Sequence, residues 1–353
     1  MIKKRRLLRI GAVVLGAVAV LAAVWVVGMA RRLRLPEPTG EYAVGRKRIS
    51  WVDANRRELL RDGNREVIAE VWYPAKVGTG SACPYFPELT AVSAAMVAAG
   101  QLEPIEATGL AWVACHELAD AEFADGNAAC PVIILSPGNG TNVEFYAAYG
   151  EELASRGFVV FGVNHPYDVS GVRLTDGSVA TYRERKQGDP EALRSRMHER
   201  VADVLFIVDR LADLNERDSR LAHRLDPSKV GVMGHSLGGM TAGEACIADH
   251  RFAAGLNVDG LNGGNPFAAS KDETPPAQPF AYIGKERTIA SHTRELIAAD
   301  PRAVLVSVPD ARHMDFADVD LFLPAANPFE RGALRVLLYS REQVALFFEK
   351  WLR

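Results

Sequence analysis

Short apolar runs alternate with helical patterns along the chain from residue 131 onward. The first runs are PVIILSPG (131–138), GFVVFGVNHP (157–166) and KVGVMGHS (229–236). The later ones are FAAGLNVDG (252–260), PFAYIGKE (279–286) and AVLVSVPDA (303–311), before a terminal helix. Continuous apolar strands that alternate with helices predict a mostly parallel central sheet with helices on both faces. In such a sheet, binding sites lie at the carboxyl ends of the strands.

The pattern before residue 131 is different. Residues 46–75 alternate between polar and apolar positions as an antiparallel strand pair does. Residues 84–129 are Ala-rich and carry no strand signal. They predict either a lid or cap over the site or plain core helices, and the apolar periodicity favours core.

The N-terminus carries a long uncharged apolar stretch. Residues 10–30 contain no charge, and at ~1.5 Å per residue a helix of this length matches the ~30 Å hydrocarbon core of a bilayer. Basic residues concentrate in 1–9, which predicts that residues 10–30 are a transmembrane signal-anchor with a cytoplasmic N-terminus. A linker at 31–40 would then lead to one domain at 41–353, outside the cytoplasm or in the periplasm. The alternative is a cleaved signal peptide ending at Ala30, which would release a secreted protein.

Charge and cysteine content exclude some classes of protein. The net charge of −3 over 353 residues gives no basic face, so no nucleic-acid partner is expected. The four cysteines form no C-x-x-C pair, which argues against a zinc or redox site. Cys115 and Cys130 enclose a short polar segment, and we hypothesise a disulfide between them in an oxidising compartment. Cys246 is expected to be a buried free thiol.

A serine stands at a glycine-rich corner in GHSLGG (234–239). The motif G-x-S-x-G is weak alone, but here an apolar strand precedes it and a helical pattern follows. This context is typical of a strained turn that exposes a serine nucleophile, so Ser236 is the candidate. The backbone N–H of Leu237 is the first candidate donor to an oxyanion. The turn PGNGTN (137–142) offers a second, for which the N–H of Asn139 is the candidate.

A serine nucleophile needs a base and an acid. When the serine stands on such a strand-to-helix turn, the acid comes next along the chain and the histidine comes last. His250 comes too early and His292 lies in an amphipathic helix, whereas His313 follows the last strand. His313 is therefore the expected base. Asp259 and Glu286 each end a strand, and spacing alone does not choose between them as the acid.

These motifs together resemble the platelet-activating factor acetylhydrolase family of α/β-hydrolases, in its plasma-type and bacterial lipase-like branch. The resemblance runs from about residue 39 to the C-terminus and rests on REVIAEVWYPA, PVIILSPGNG, GHSLGG, LNVDG and ARHMDFAD. It implies that Asp259 is the acid and that Asn139 supplies the second oxyanion N–H. Pro137 stands where the family often has histidine. His165 and His235 lie outside the triad order and are expected to be structural.

The expected activity is hydrolysis of a carboxylic ester through an acyl-enzyme, with a Ser236–Asp259–His313 triad and no cofactor or metal. The resemblance implies short-acyl lipid or phospholipid esters as substrates. Alternatives are a polyester (cutinase-like) or general carboxylesterase, an acyltransferase, and a non-catalytic membrane-tethered binding module. The expected partners are a small ester or lipid and, through residues 10–30, a membrane.

Overall fold

A computed structural model describes residues 33–126, 129–184, 189–261, 275–322 and 332–353. The segment predicted to cross the membrane, residues 10–30, and the basic residues 1–9 lie outside these ranges. Within them, no helix is both long enough and apolar enough to traverse a bilayer.

The described strands form one ten-stranded sheet and a two-stranded ribbon. Their bounds are β1 Ala43–Arg57, β2 Asn64–Ala75, β3 Ser81–Ala82, β4 Glu117–Ala119, β5 Cys130–Ser136, β6 Val159–Asn164, β7 Gly171–Arg173, β8 Val179–Thr181, β9 Leu225–His235, β10 Phe252–Val258, β11 Phe280–Lys285 and β12 Val304–Val308. The large sheet has the order β12-β11-β10-β9-β5-β6-β2-β1-β4-β3, and β7 pairs with β8. Strands β5, β6 and β9 to β12 are parallel to their neighbours in this run, as predicted. The predicted antiparallel pair is confirmed as β1 and β2.

Helices cover both faces of the sheet. They are α1 Leu89–Ala98, α2 Pro104–Leu110, α3 Ala147–Ser155, α4 Pro190–Arg217, α5 Leu237–Ala248, α6 Ser291–Ala298, α7 Val319–Phe322 and α8 Gly332–Leu352. Ile133 and Leu135 of β5 face the core under α3 and α8, while Val132 and Ile134 face the core under α4 and α5. Because successive side chains of a strand point to opposite faces, one apolar run fills both cores.

Three expectations away from the site need correction. The described part of the predicted linker is docked on the domain, since Leu35 is buried and its N–H donates to the carbonyl oxygen of Ala114 (2.9 Å). Cys115 and Cys130 are free thiols, and the Cys115 thiol donates to the carbonyl oxygen of Cys83 (3.1 Å). A short strand, β4, interrupts the segment read as free of strands. Cys246 is a buried free thiol, as expected.

The segment 84–129 packs into the core. The buried side chains of α1 are Leu89, Val92 and Met96, and they join the same apolar cluster as α3 and α8. The structure therefore favours core helices over a lid for this segment.

Candidate active site

Ser236 occupies a strained turn between β9 and α5. Its φ of 54° and ψ of −120° lie in a region that costs a non-glycine residue on the order of 1–3 kcal/mol. A Cβ atom at Gly234 would overlap the backbone of Gly238, and one at Gly238 would overlap the backbone of Ser136. The strand and the helix therefore approach each other more closely than other side chains permit, which projects the Ser236 hydroxyl outward.

The structure brings Ser236, His313 and Asp259 together. His313 begins the short 3-10 helix His313–Phe316 after β12, and Asp259 follows β10 with a φ of 52°. Nε2 of His313 lies 2.9 Å from Oγ of Ser236, and Nδ1 lies 2.6 Å from Oδ2 of Asp259. A carboxylate accepts, so Nδ1 carries the hydrogen and Nε2 is left free to accept the serine proton.

Asp259 is held ionised beside His313. Burial alone would raise the pKa of this carboxyl, but hydrogen bonds from His313 and Lys285 hold the pKa below its ordinary value. The N–H of Lys285 donates to Oδ1 (3.1 Å), and its ammonium group lies 3.1 Å from Oδ2. The other acid candidate, Glu286, is exposed at the start of a 3-10 helix. The geometry thus separates two acids that sequence spacing left equal, while His250 and His292 are exposed elsewhere.

The two candidate oxyanion donors are both free. Within the described ranges, neither the N–H of Leu237 nor that of Asn139 donates a backbone hydrogen bond. Leu237 is the first residue of α5, where helical N–H groups have no intrahelical partner. The Asn139 side chain is clamped, because its Oδ1 accepts from Arg196 (2.8 Å) and its Nδ2 donates to the hydroxyl of Tyr182 (3.1 Å).

A cavity of about 380 Å³ opens beside the serine. Its lining residues are Ser236, Met240, Asp259, Gly260, Leu261, Lys285, Thr288 and His313. Small-molecule sites start at about 300 Å³, so this volume suits a small ester group. None of these described lining residues belongs to segment 84–129.

His165, read from sequence as structural, belongs to a second Ser–His–Asp set. It is fully buried, with Nε2 3.0 Å from Oγ of Ser136 and Nδ1 2.8 Å from Oδ2 of Asp203. Burial and the nearby Arg200 guanidinium lower the pKa of His165 to about 4, so its ring is neutral. Ser136 ends β5, directly before the turn that carries Asn139. This set holds the start of that turn.

Several residues around the site carry no local sequence signal. Arg196 and Arg200 lie on α4, Tyr182 follows β8, and Lys285 ends β11. Arg196 pairs with Asp168 (2.8 Å), and Arg200 donates to the carbonyl oxygen of Pro137 (2.7 Å). The sequence signal for Arg196 and Arg200 is weak: they are charged residues within an amphipathic helix. Charged side chains are rarely buried without partners.

Two groups of side chains have the spacing of metal ligands in the described part of the chain. In the first, His235, Asp259 and His313, both nitrogens of His313 are engaged by the hydrogen bonds above. In the second, Cys115, Glu117 and Glu151, burial raises the pKa of the Cys115 thiol, and a metal ligand must be the thiolate. Neither donor set fits a metal ion well.

Comparison with known proteins points to ester hydrolases. A family model described as platelet-activating factor acetylhydrolase, isoform II, matches residues 27–287. A protein of Arthroderma benhamiae named probable 1-alkyl-2-acetylglycerophosphocholine esterase is 24% identical over 83% of this chain and 78% of its own. Platelet-activating factor acetylhydrolase of Cavia porcellus is 33% identical over 36% of this chain and 34% of its own.

Coverage of the mammalian relatives is partial. The match to platelet-activating factor acetylhydrolase of Canis lupus familiaris is 26% identical and spans 53% of this chain and 48% of that protein. Among solved structures, a ferulic acid esterase from Streptomyces cinnamoneus superposes with a TM-score of 0.72 at 28% identity. That match covers 91% of this chain and 93% of the esterase, so the whole α/β-hydrolase-like domain is shared.

Proposed function

Because the chain belongs to the family described as platelet-activating factor acetylhydrolase, isoform II, and is a carboxylic ester hydrolase, we propose that Ser236, His313 and Asp259 are its catalytic triad. The observation that carries this proposal is the unbroken hydrogen-bonded chain from Asp259 through His313 to a serine on a strained turn, at the edge of a cavity. The same three residue types perform acyl transfer on several unrelated folds.

The proposed reaction has two steps. Oγ of Ser236 attacks the ester carbonyl carbon while Nε2 of His313 takes the hydroxyl proton. The N–H groups of Leu237 and Asn139 stabilise the negative oxygen of the tetrahedral intermediate. His313 then protonates the departing alcohol, and afterwards activates a water molecule that releases the acid from Ser236. Asp259 stabilises the imidazolium formed in each step.

We propose short-acyl lipid or phospholipid esters as the substrates. The family and the named esterase relatives support this class, and a cavity of about 380 Å³ suits a small acyl group better than a long chain. The structural neighbour is named a ferulic acid esterase, so esters with an aromatic acyl group are the competing substrate class. Met240 and Leu261 give the cavity wall an apolar part, and Lys285 and Thr288 a polar part.

The test is hydrolysis of p-nitrophenyl esters from acetate to palmitate, beside methyl ferulate. Ser236→Ala is expected to lower kcat by about 10³-fold or more, since only the oxyanion site and substrate binding would remain. Ser136→Ala is the matched control and should keep activity within about tenfold, because it removes only one buried hydrogen bond. The assay can use a fragment that starts at residue 32, because it keeps the backbone hydrogen bonds of Leu33 and Leu35 with Ala114.

Rates that fall from acetate to palmitate support the short-acyl proposal. Rates highest on palmitate would contradict it and indicate a lipase, and a preference for methyl ferulate would indicate an aromatic ester. Full activity in Ser236→Ala would overturn the proposed triad.

For residues 10–30 we propose a membrane anchor that places the domain outside the cytoplasm. The proposal rests on the apolar length and the basic flank of this segment. N-terminal sequencing of the protein from the membrane and the released fractions tests it. A chain in the membrane fraction that keeps residues 10–30 supports the anchor, and a released chain that begins at Arg31 contradicts it.

A further inference from the structure

Tyr146 lies fully buried beneath the turn that carries Asn139. It ends the 3-10 helix Val143–Tyr146, and its hydroxyl oxygen touches polar atoms of three other residues. These are the N–H of Gly138 (3.1 Å), Oγ1 of Thr141 (3.0 Å) and Nδ1 of His235 (2.8 Å). The other ring nitrogen of His235, Nε2, lies 3.0 Å from the carbonyl oxygen of His313.

The chemistry of these groups allows one direction for the hydrogen bonds. The carbonyl oxygen of His313 can only accept, so Nε2 of His235 must carry a hydrogen. Burial, and then the neighbouring His313, lower the pKa of His235 to about 3, so the ring is neutral and Nδ1 has a free lone pair.

The direction of the bonds from Gly138 and Tyr146 follows. Burial raises the pKa of Tyr146 to about 12, so its hydroxyl keeps the hydrogen and donates it to Nδ1 of His235. The N–H of Gly138 can only donate, and it donates to the Tyr146 oxygen. One directed path therefore runs from Gly138 through Tyr146 and His235 to His313.

Each end of this path adjoins a group of the proposed mechanism. Gly138 precedes Asn139, the candidate oxyanion donor, and His235 precedes Ser236. His313 is the candidate base, and its ring packs against that of His235 with centroids 4.6 Å apart. The three segments follow three different strands, β5, β9 and β12. Local backbone geometry cannot set their mutual spacing, whereas catalysis depends on that spacing to within a fraction of an ångström.

We propose that Tyr146 and His235 are positioning residues, which hold the oxyanion turn, the serine turn and the histidine loop in one arrangement. The proposal rests on the function proposed above. Neither residue lines the cavity beside Ser236. Their effect should appear in the transition state, where the oxyanion forms, and not in substrate binding.

The main test is Tyr146→Phe, which preserves the ring but leaves the N–H of Gly138 and Nδ1 of His235 without their partner. We expect kcat on p-nitrophenyl acetate to fall on the order of tenfold or more, with KM within about twofold. A trifluoromethyl ketone, which forms the tetrahedral oxyanion on the serine, should bind more weakly by the same factor.

Tyr149→Phe is the matched control. Tyr149 is equally buried, and its hydroxyl bonds to Oγ of Ser340 (2.8 Å), away from the site. This variant also removes a buried hydroxyl and should lower the thermal stability, but it should keep kcat within about twofold. A Tyr146→Phe enzyme whose kcat matches that of Tyr149→Phe would overturn the proposal.

The variants Ser236→Ala and Tyr146→Phe together separate this inference from the proposed function. Activity that survives Ser236→Ala would overturn both, whereas loss in Ser236→Ala with full activity in Tyr146→Phe would overturn only the positioning role. A second measurement needs no variant: ¹⁵N NMR of histidine-labelled wild-type full-length chain should show His235 as the Nε2–H tautomer, neutral at pH 5. The Nδ1–H tautomer, or a protonated ring, would contradict the path even if Tyr146→Phe does not fold.

Discussion

The protein contains two Ser–His–Asp sets with nearly the same hydrogen-bond lengths. In the set around His313 the two distances are 2.9 and 2.6 Å, and in the set around His165 they are 3.0 and 2.8 Å. The His313 side chain is 41% exposed, whereas that of His165 is 0% exposed. Only the first set opens on a cavity and can reach a substrate.

The backbones of the two serines differ as well. Ser236 sits on a strained turn beside the free N–H of Leu237, while Ser136 is the last residue of a strand and points into the core. Asp203 is bound by the guanidinium groups of Arg65 (2.7 Å) and Arg56 (2.9 Å) in addition to His165. Hydrogen bonds from serine to histidine to aspartate therefore do not by themselves make the serine a nucleophile. The substrate must also reach the serine, an oxyanion site must lie beside it, and the histidine must be able to take up a proton.

The largest contrast is expected between Asp259→Asn and Asp203→Asn. Asp259→Asn should lower kcat by about 10⁴-fold with little loss of stability, because the amide favours the wrong tautomer of the base. Asp203→Asn should instead lower the free energy of unfolding by about 3 kcal/mol, because the buried Arg65 guanidinium keeps only Glu58 and His165 loses its charged acceptor.

Steady-state kinetics and urea unfolding of both variants check this contrast. The pattern would be contradicted if Asp203→Asn lost activity as severely as Asp259→Asn while remaining folded, since the buried set would then take part in the reaction.

Part of the pH dependence of stability should come from His165 in the buried set. The pKa of His165 falls from 6.5 to about 4 on folding, so between these pH values the unfolded chain binds a proton that the folded protein does not. The free energy of unfolding should therefore fall by about 3 kcal/mol from this residue as the pH drops from 7 to 4. His235, with its pKa near 3, adds a second loss of the same sign.

Urea unfolding at several pH values measures this effect. His165→Gln should be less stable at pH 7 but lose less on acidification, and His292→Gln, on the surface, should follow the wild type. Equal acid sensitivity of His165→Gln and wild type would show that His165 is not the group that titrates.

The smallest effect is expected at the clamp on Asn139. Arg196→Met removes the guanidinium that holds the Asn139 side chain and should lower kcat by about threefold to tenfold, with KM nearly unchanged. Arg194→Met, two residues earlier on α4, removes an exposed ion pair with Glu191 and should change nothing measurable. If Arg196→Met instead raised KM and left kcat unchanged, Arg196 would act in substrate binding.

Local patterns predicted the elements that carry the candidate site. The apolar run before Ser236, the small residues around it and the loop after the last strand identified three of the segments without a structure. The same reasoning left Asp259 and Glu286 equal, because each ends a strand. Only the packing of β10, β11 and the histidine loop shows that Asp259 contacts His313 while Glu286 faces solvent.

Sequence separation explains what was missed. Tyr146 and His235 are 89 positions apart, and Asn139 and Arg196 are 57 apart. No periodicity links such pairs. The hypothesis of a disulfide between Cys115 and Cys130 was wrong, because both are free thiols in the structure. Nearness in sequence does not by itself bring two thiols within bonding distance.

The sequence by itself determined the alternation of strands and helices, the strained serine turn and the order of the candidate catalytic residues, because these depend on hydrophobic period and local backbone sterics. The tertiary structure alone decided that a second Ser–His–Asp set is buried and that Tyr146 connects the oxyanion turn to the histidine loop. It also places Asp259 against His313, which the family resemblance implied and strand spacing did not. Those contacts join separate elements, and their geometry follows from how the helices and the sheet pack.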